Sequence, residues 1–148
     1  MNEKNVFLRN ATEEDINLLF DWVNDPVTRQ SAFDSHTITY QEHQSWYKKI
    51  LEDPNQMQLI LMENGEAVGQ IRISIEEENA IIDYSISSKK RGQGLGTAIL
   101  EMVKSEVKIR YPLVKRLIGN VRKTNIASIN CFKNSGFVEN YIQFKYEY

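Results

Sequence analysis

The sequence predicts an α/β fold in one domain, a mixed sheet flanked by helices, and three observations carry that reading. Asn64-Gly65, a strong hairpin signal, separates two strand-like runs, Met57 to Met62 and Ala67 to Ile75. Two segments begin with Thr and carry an acid three residues later, then continue with apolar residues at helical spacing. A strand, a glycine-rich loop, a helix and a second strand then follow one another between Ala80 and Val121, the order of a parallel crossover unit.

Taken in order, Val6 to Arg9 reads as a first strand. Thr12-Glu13-Glu14-Asp15 resembles a capping box with Asp in place of Glu, and it opens a helix with Ile16, Leu19, Phe20 and Val23 on its apolar face until Asp25-Pro26 breaks it. Thr39-Tyr40-Gln41-Glu42 opens a second helix bearing His43, Trp46, Tyr47 and Ile50, stopped by Asp53-Pro54. After the hairpin, Glu76 to Asn79 turns the chain into a strand from Ala80 to Ser87. The next helix carries Ile99, Met102, Val103 and Val107, and Arg116 to Val121 is the strand that follows it. Ser128 to Ser135 is a short helix ended by Gly136, and the alternation from Phe137 to Tyr148 predicts one or two closing strands.

At 148 residues, 41% apolar and 26% charged, the chain suits one globular domain spanning residues 1–148. No stretch has the length of a membrane span, and the polar start Met1-Asn2-Glu3-Lys4-Asn5 lacks the apolar run of a signal peptide, so a cytoplasmic location is expected with no membrane partner. Cys131, His36 and His43 are not at metal-ligand spacing, and no metal is expected. Tyr84 to Lys123 holds ten Lys or Arg against Glu101 and Glu106, a local +8 that leaves −10 for the rest of a chain whose net charge is −2. That asymmetry fits a small phosphorylated ligand better than nucleic acid, a long polyanion that the acidic remainder would repel.

The loop Arg91-Gly92-Gln93-Gly94-Leu95-Gly96-Thr97 stands at a helix start, where free N–H groups and the helix dipole attract phosphate. It ends in Gly96-Thr97-Ala98, unlike a P-loop, and has Thr97 where a dinucleotide fingerprint needs its third Gly. Its Arg91-x-x-Gly94-x-Gly96 pattern, with Asn125-Ile126-Ala127-Ser128 and Lys133-Asn134-Ser135-Gly136-Phe137 further on, resembles the GCN5-related N-acetyltransferase superfamily, and the likeness covers nearly the whole chain. The resemblance implies a mostly antiparallel sheet with one splayed parallel strand pair, and acetyl-CoA as cosubstrate. It further implies a pyrophosphate on the N–H groups of Gly92, Gln93, Gly94, Leu95, Gly96 and Thr97, charge from Arg91, and a pantetheine arm along Tyr84, Ser85 and Ile86. A backbone N–H near Tyr84 would act on the thioester carbonyl like an oxyanion hole. Asn125 and Ser128 fall on the cofactor side.

Two positions depart from the family pattern. The residue seven places after Asn125, a Tyr that protonates the leaving thiolate in many members, is Phe132, and the strand position that often bears a Glu base is Ile81. Ser128, Asn125 and Cys131, nearby in sequence, and Tyr141, Tyr146 and Tyr148 are the alternatives for the missing proton donor, and Asp83, sharing a strand face with Ile81, is the alternative base. Ser128 and Asp83, with the backbone N–H of Tyr84, are the candidate catalytic groups. Missing base chemistry fits a weakly basic sugar amine better than a lysine, because holding a lysine-like amine neutral at pH 7 costs roughly 4 to 5 kcal/mol. The acceptor region implied by the resemblance contains Asn24, Arg29, Phe33, His43, Trp46 and Arg72, with Trp22, Ser31 and His36 nearby. Asn24 to Ser31 and Gly69 to Arg72 look like the branch that acetylates UDP-linked amino sugars of pseudaminic-acid-type routes, where Arg29 and Arg72 would hold diphosphate. Polyamine or protein N-terminal (ribosomal-protein-like) acetylation, a non-catalytic acyl-CoA-binding module and a homodimeric assembly are the alternatives carried forward.

Overall fold

The strands of the computed structural model, which describes residues 5–148, are β1 (Val6–Asn10), β2 (Gln56–Glu63), β3 (Glu66–Glu76), β4 (Asn79–Ile86) and β5 (Arg116–Gly119). They lie side by side in that order, antiparallel throughout except for the parallel pair β4 and β5. Met1 to Lys4, the polar start used above, lie outside the described residues. The hairpin between β2 and β3 turns on Asn64 (φ 51°) and Gly65 (φ 83°), the two left-handed residues of a type I′ turn.

Both capping boxes form. Thr12 and Asp15 satisfy each other's backbone N–H groups at a short 3-10 turn that runs into α1 (Ile16–Val23), and Thr39 and Glu42 do the same at the start of α3 (Tyr40–Glu52). Between them lies an additional helix, α2 (Pro26–Ser31). Asp25-Pro26, expected only to break α1, also starts α2, since Asp25 accepts from Thr28 N–H and Pro26 occupies the first turn, where its missing donor costs nothing.

Period-2 alternation divides the sheet into two faces. Leu59, Leu61, Ile71, Ile73 and Ile82 form a buried core with Ile99, Leu100, Val103 and Val107 of α4 (Leu95–Arg110). The opposite face buries Ile60 with Leu19 of α1 and Tyr47 of α3. That face also carries Met62 and Ala67 against this cluster, and a polar row in which Gln58 donates to Gln70 (2.7 Å), which donates to Ser85 (3.1 Å). α5 (Ile126–Asn134) packs on α4, and its chain is released by Gly136 at φ 83°.

The closing strands expected from Phe137 onward are absent: 138–148 carry no regular structure, and Ile142, Phe144, Tyr146 and Tyr148 are exposed. The alternation is left with i,i+2 side-chain contacts, Lys145 with Glu147 (2.8 Å) and the Tyr146 ring with Tyr148 (5.2 Å). It does not encode a ladder partner. β5 likewise stops at Gly119, two residues short of the expectation.

Gly119 is where α5 meets the sheet, because a Cβ built there would overlap the Phe132 ring. Gly119→Ala is therefore expected to destabilise the fold by roughly 1–3 kcal/mol through overpacking, measured by urea denaturation, and Phe132→Leu in the same chain should return part of that loss.

Candidate active site

β4 and β5 pair from Asn79↔Arg116 to Ile82↔Gly119 and then part, while β4 stays paired with β3 as far as Ile86↔Gly69. Asp83, Tyr84, Ser85 and Ile86 thus have a strand on one side and a gap on the other. This is the splayed pair that the resemblance implies, and it presents unpaired main chain to any extended ligand.

The glycine loop opens beside the gap. Gly92 (φ 75°) and Gly94 (φ 81°) are both left-handed, with nothing within 4 Å of a built Cβ, so the loop keeps an open concave side. Gly94 caps α4, and the first intrahelical bond runs from Ala98 N–H to Gly94 O (3.1 Å), so the N–H groups of Leu95, Gly96 and Thr97 precede the helical ladder. An open double-glycine turn feeding a helix dipole fits a pyrophosphate. Gly96 has another duty: its Cβ would meet Cys131 Sγ at 2.8 Å and Tyr84 at 3.5 Å, so it is small to admit α5, not phosphate.

Arg91, expected at the pyrophosphate, is directed elsewhere. It donates Nε to Ile86 O (3.1 Å) and Nη2 to Asp25 Oδ2 (2.7 Å), with Thr28 Oγ1 at 3.4 Å. The physical reason is the half-buried Asp25 carboxylate, which needs a cation once removed from water.

Of the three catalytic candidates, the structure brings two together. Tyr84 Oη lies 3.0 Å from Ser128 Oγ, where β4, the start of α4 and the first turn of α5 converge, and Asn125 fixes that turn by accepting from Ser128 N–H (3.2 Å). Burial pushes the Tyr84 phenol well above its ordinary pKa, against the opposing effect of its Ser128 hydrogen bond, so Tyr84 is neutral and serves as a hydrogen-bond group. Phe132 packs edge-on against Tyr84 (5.8 Å) and Phe137 (5.0 Å). Asp83 projects from the other face of β4, exposed and paired to Arg72 (3.4 Å).

On that other face, a cavity of about 340 Å³ lies between the α1–α2 corner and the end of β4. Asp21, Trp22, Asn24, Asp25, Thr28 and Ser85 are among its walls. Several expected acceptor residues make scaffold contacts. Asn24 makes a pair of hydrogen bonds to Ile38 (2.8 and 2.9 Å), and Arg29 donates to the carbonyls of Val23 (2.6 Å), Asp34 (3.2 Å) and His36 (3.4 Å). His43, read as an acceptor contact, is buried, hydrogen-bonded to Ile16 O (3.0 Å) and stacked on Tyr47; burial lowers its pKa and keeps it neutral. Trp46 lies under the Arg72 guanidinium (5.2 Å), and Phe33 is exposed in the loop after α2. His36 pairs with Asp34 in that loop (2.6 Å).

Sequence reasoning missed the Arg91–Asp25 tie, which joins residues 66 apart and leaves no local signal. Burial raises the Asp25 carboxyl, but Arg91 and the Thr28 N–H outweigh it, so its folded pKa is depressed. Such a group stabilises the fold above its unfolded value, about 3.9, and loses that contribution as pH falls through the folded value. Asp25→Asn is expected to lower the Tm at pH 7, with the difference from the parent closing below about pH 4 in thermal melts across pH.

Comparison with known proteins gives the family. Residues 5–138 match the family described as Acetyltransferase (GNAT) domain, most of the chain. No curated protein sequence matches significantly. Among solved structures, aminoglycoside acetyltransferase AAC(6')-Ib with coenzyme A is 22% identical with a TM-score of 0.79, over 92% of this chain and 86% of that one. Spermidine N-acetyltransferase from Vibrio cholerae, with CoA and spermine, is 15% identical with a TM-score of 0.82, over 92% and 82%. A GNAT-family acetyltransferase from Streptococcus pneumoniae is 21% identical with a TM-score of 0.73, over 93% and 87%. With the splayed strands, the open glycine turn and the family match over residues 5–138, the chain belongs to the GNAT acetyltransferases.

Proposed function

We propose that this acetyltransferase moves the acetyl group of acetyl-CoA to a primary amine of a small, multiply polar amine, a polyamine or a free amino sugar. The observation that carries the acceptor class is the lining of the cavity beside the gap. It offers the Asp21 carboxylate and the hydroxyls of Ser85, Ser87 and Ser88, while its one cation, Arg91, and the Asp25 carboxylate neutralise each other. Such a surface attracts ammonium and hydroxyl groups. The diphosphate of a UDP-linked sugar needs fixed positive charge, whereas Arg29 is spent on backbone carbonyls and Arg72 on Asp83 and Trp46. Two structurally similar enzymes were solved with ribostamycin and with spermine, both polyamines in the broad sense, which supports the same direction.

The two faces of β4 suggest a division of labour. Acetyl-CoA supplies an activated thioester carbonyl in the gap, its pyrophosphate on the N–H groups of the glycine turn. The amine approaches from the cavity side, where its nitrogen forms the new C–N bond and sheds a proton to water or, through water, to Asp83. As the C–S bond breaks, the electron pair leaves on sulfur. On the opposite face, the neutral hydroxyl pair of Tyr84 and Ser128 donates a hydrogen bond to that developing thiolate. A phenol raised this far is a poor acid toward a thiol of pKa about 8.5, so hydrogen bonding, with final protonation from water, is the role it suits.

A panel of spermidine, aminoglycosides, UDP-linked amino sugars and alanine-ended peptides, read by thiol release, tests the assignment. The highest kcat/KM is expected with the first two. A better nucleotide sugar or peptide overturns the acceptor class, and binding of acetyl-CoA without turnover on any amine would leave an acyl-CoA-binding module.

Tyr84→Phe is expected to lower kcat about 10- to 100-fold with little change in acetyl-CoA affinity by calorimetry. Phe132→Tyr, which brings a hydroxyl to the end of the β4–β5 pairing, should leave kcat unchanged or higher; a large fall in a folded variant would sink the placement of the leaving thiolate.

A further inference from the structure

α2 is six residues long and buries none of them, so neither intrinsic helix stability nor hydrophobic contact fixes its place. Polar ties do, and they come from both sides of the gap. At its start, Arg91 of the loop after β4 holds Asp25, the residue that caps the helix (2.7 Å). At its end, Arg122 of the segment after β5 donates Nη1 to Gln30 O (3.3 Å) and Ala32 O (3.0 Å). The helix therefore spans from the β4 side to the β5 side of the place where Ile82↔Gly119 pairing stops.

We propose that α2 is a strap across the β4–β5 gap and that Arg122 is a positioning residue for the acceptor. Arg122 satisfies carbonyls at the C-terminal end of α2, where a helix leaves acceptors unpaired, and a guanidinium with several donors can bridge two of them at once. The Ala32 carbonyl it holds immediately precedes Phe33, an exposed residue, so the latch also limits where the chain after α2 can stand. Residues on α2 and just before it, Asp25 and Thr28, wall the cavity. Loosening the C-terminal latch shifts the cavity wall while the glycine turn, built on α4, stays as it is. The inference rests on the acetyl-transfer reading for its kinetic arm only.

Arg122→Ala is the test. Hydrogen exchange of the protein without ligands should quicken about fivefold at amides 27–33 and stay unchanged in α4, because local opening is set by the ties that are lost. The acceptor KM, measured with the best amine of the panel, should rise about fivefold while the acetyl-CoA Kd by calorimetry stays within about twofold. Arg122→Lys, which keeps the charge and one carbonyl contact, should recover part of both effects. Unchanged exchange at 27–33 overturns the strap, and an acetyl-CoA Kd that rises in step with the acceptor KM overturns the positioning role by making Arg122 a cofactor contact. A parent without turnover on any amine would defeat acetyl transfer itself, and the exchange measurement would still decide whether α2 is latched.

Discussion

The site depends on the parting of two parallel strands. β4 and β5 share four paired positions and no more, and the pairing ends at the residue on which Phe132 rests. A parallel pair buried by the crossover helix α4 could continue its ladder, since β4 runs on to Ile86. Instead α5 is packed against the end of β5, and Gly119 is the residue small enough to receive it. The gap, the unpaired main chain of β4 and the meeting of Tyr84 with Ser128 all follow from that one close approach.

Because successive side chains of a strand point to opposite faces, a strand beside a gap can serve two environments at once. Asp83 stands in the polar, solvated face shared with Arg72, and Tyr84 in the buried face beneath α4 and α5. A strand with this alternation can therefore present different chemistry to the two sides of a ligand lying in the gap. Gln58, Gln70 and Ser85 extend the face of Asp83 as a hydrogen-bonded row, which satisfies their polar groups, the buried Gln58 amide among them.

Much of this was legible in the sequence because it is encoded locally. Asn64-Gly65 forces left-handed φ angles, Thr39 and Glu42 bond to each other's backbone, and Gly94 opens a helix after a strand, each within a few residues. What was not legible is encoded at a distance or by competition. Arg91 sits inside the expected phosphate motif, yet Asp25 captures its side chain across 66 residues. His43 has the spacing of an acceptor contact, yet it lies over Ile16 O and belongs to the core. The tail from Val138 onward shows that alternation alone does not supply a ladder partner.

The charge count teaches a related point. Ten cations in Tyr84 to Lys123 suggested a basic mouth facing an anion, but Lys90, Arg91, Lys104, Arg110, Lys115 and Arg116 all lie in ion pairs, and Arg122 is bound to carbonyls. These side chains stitch elements together: Arg91 joins the glycine loop to α2, and Lys115 joins the start of β5 to the turn before β4. The donors this loop leaves for an anion are the main-chain N–H groups at the head of α4 that precede the helical ladder. One loop thus presents free backbone donors at its glycine turn while its arginine side chain braces Asp25 in the cavity wall.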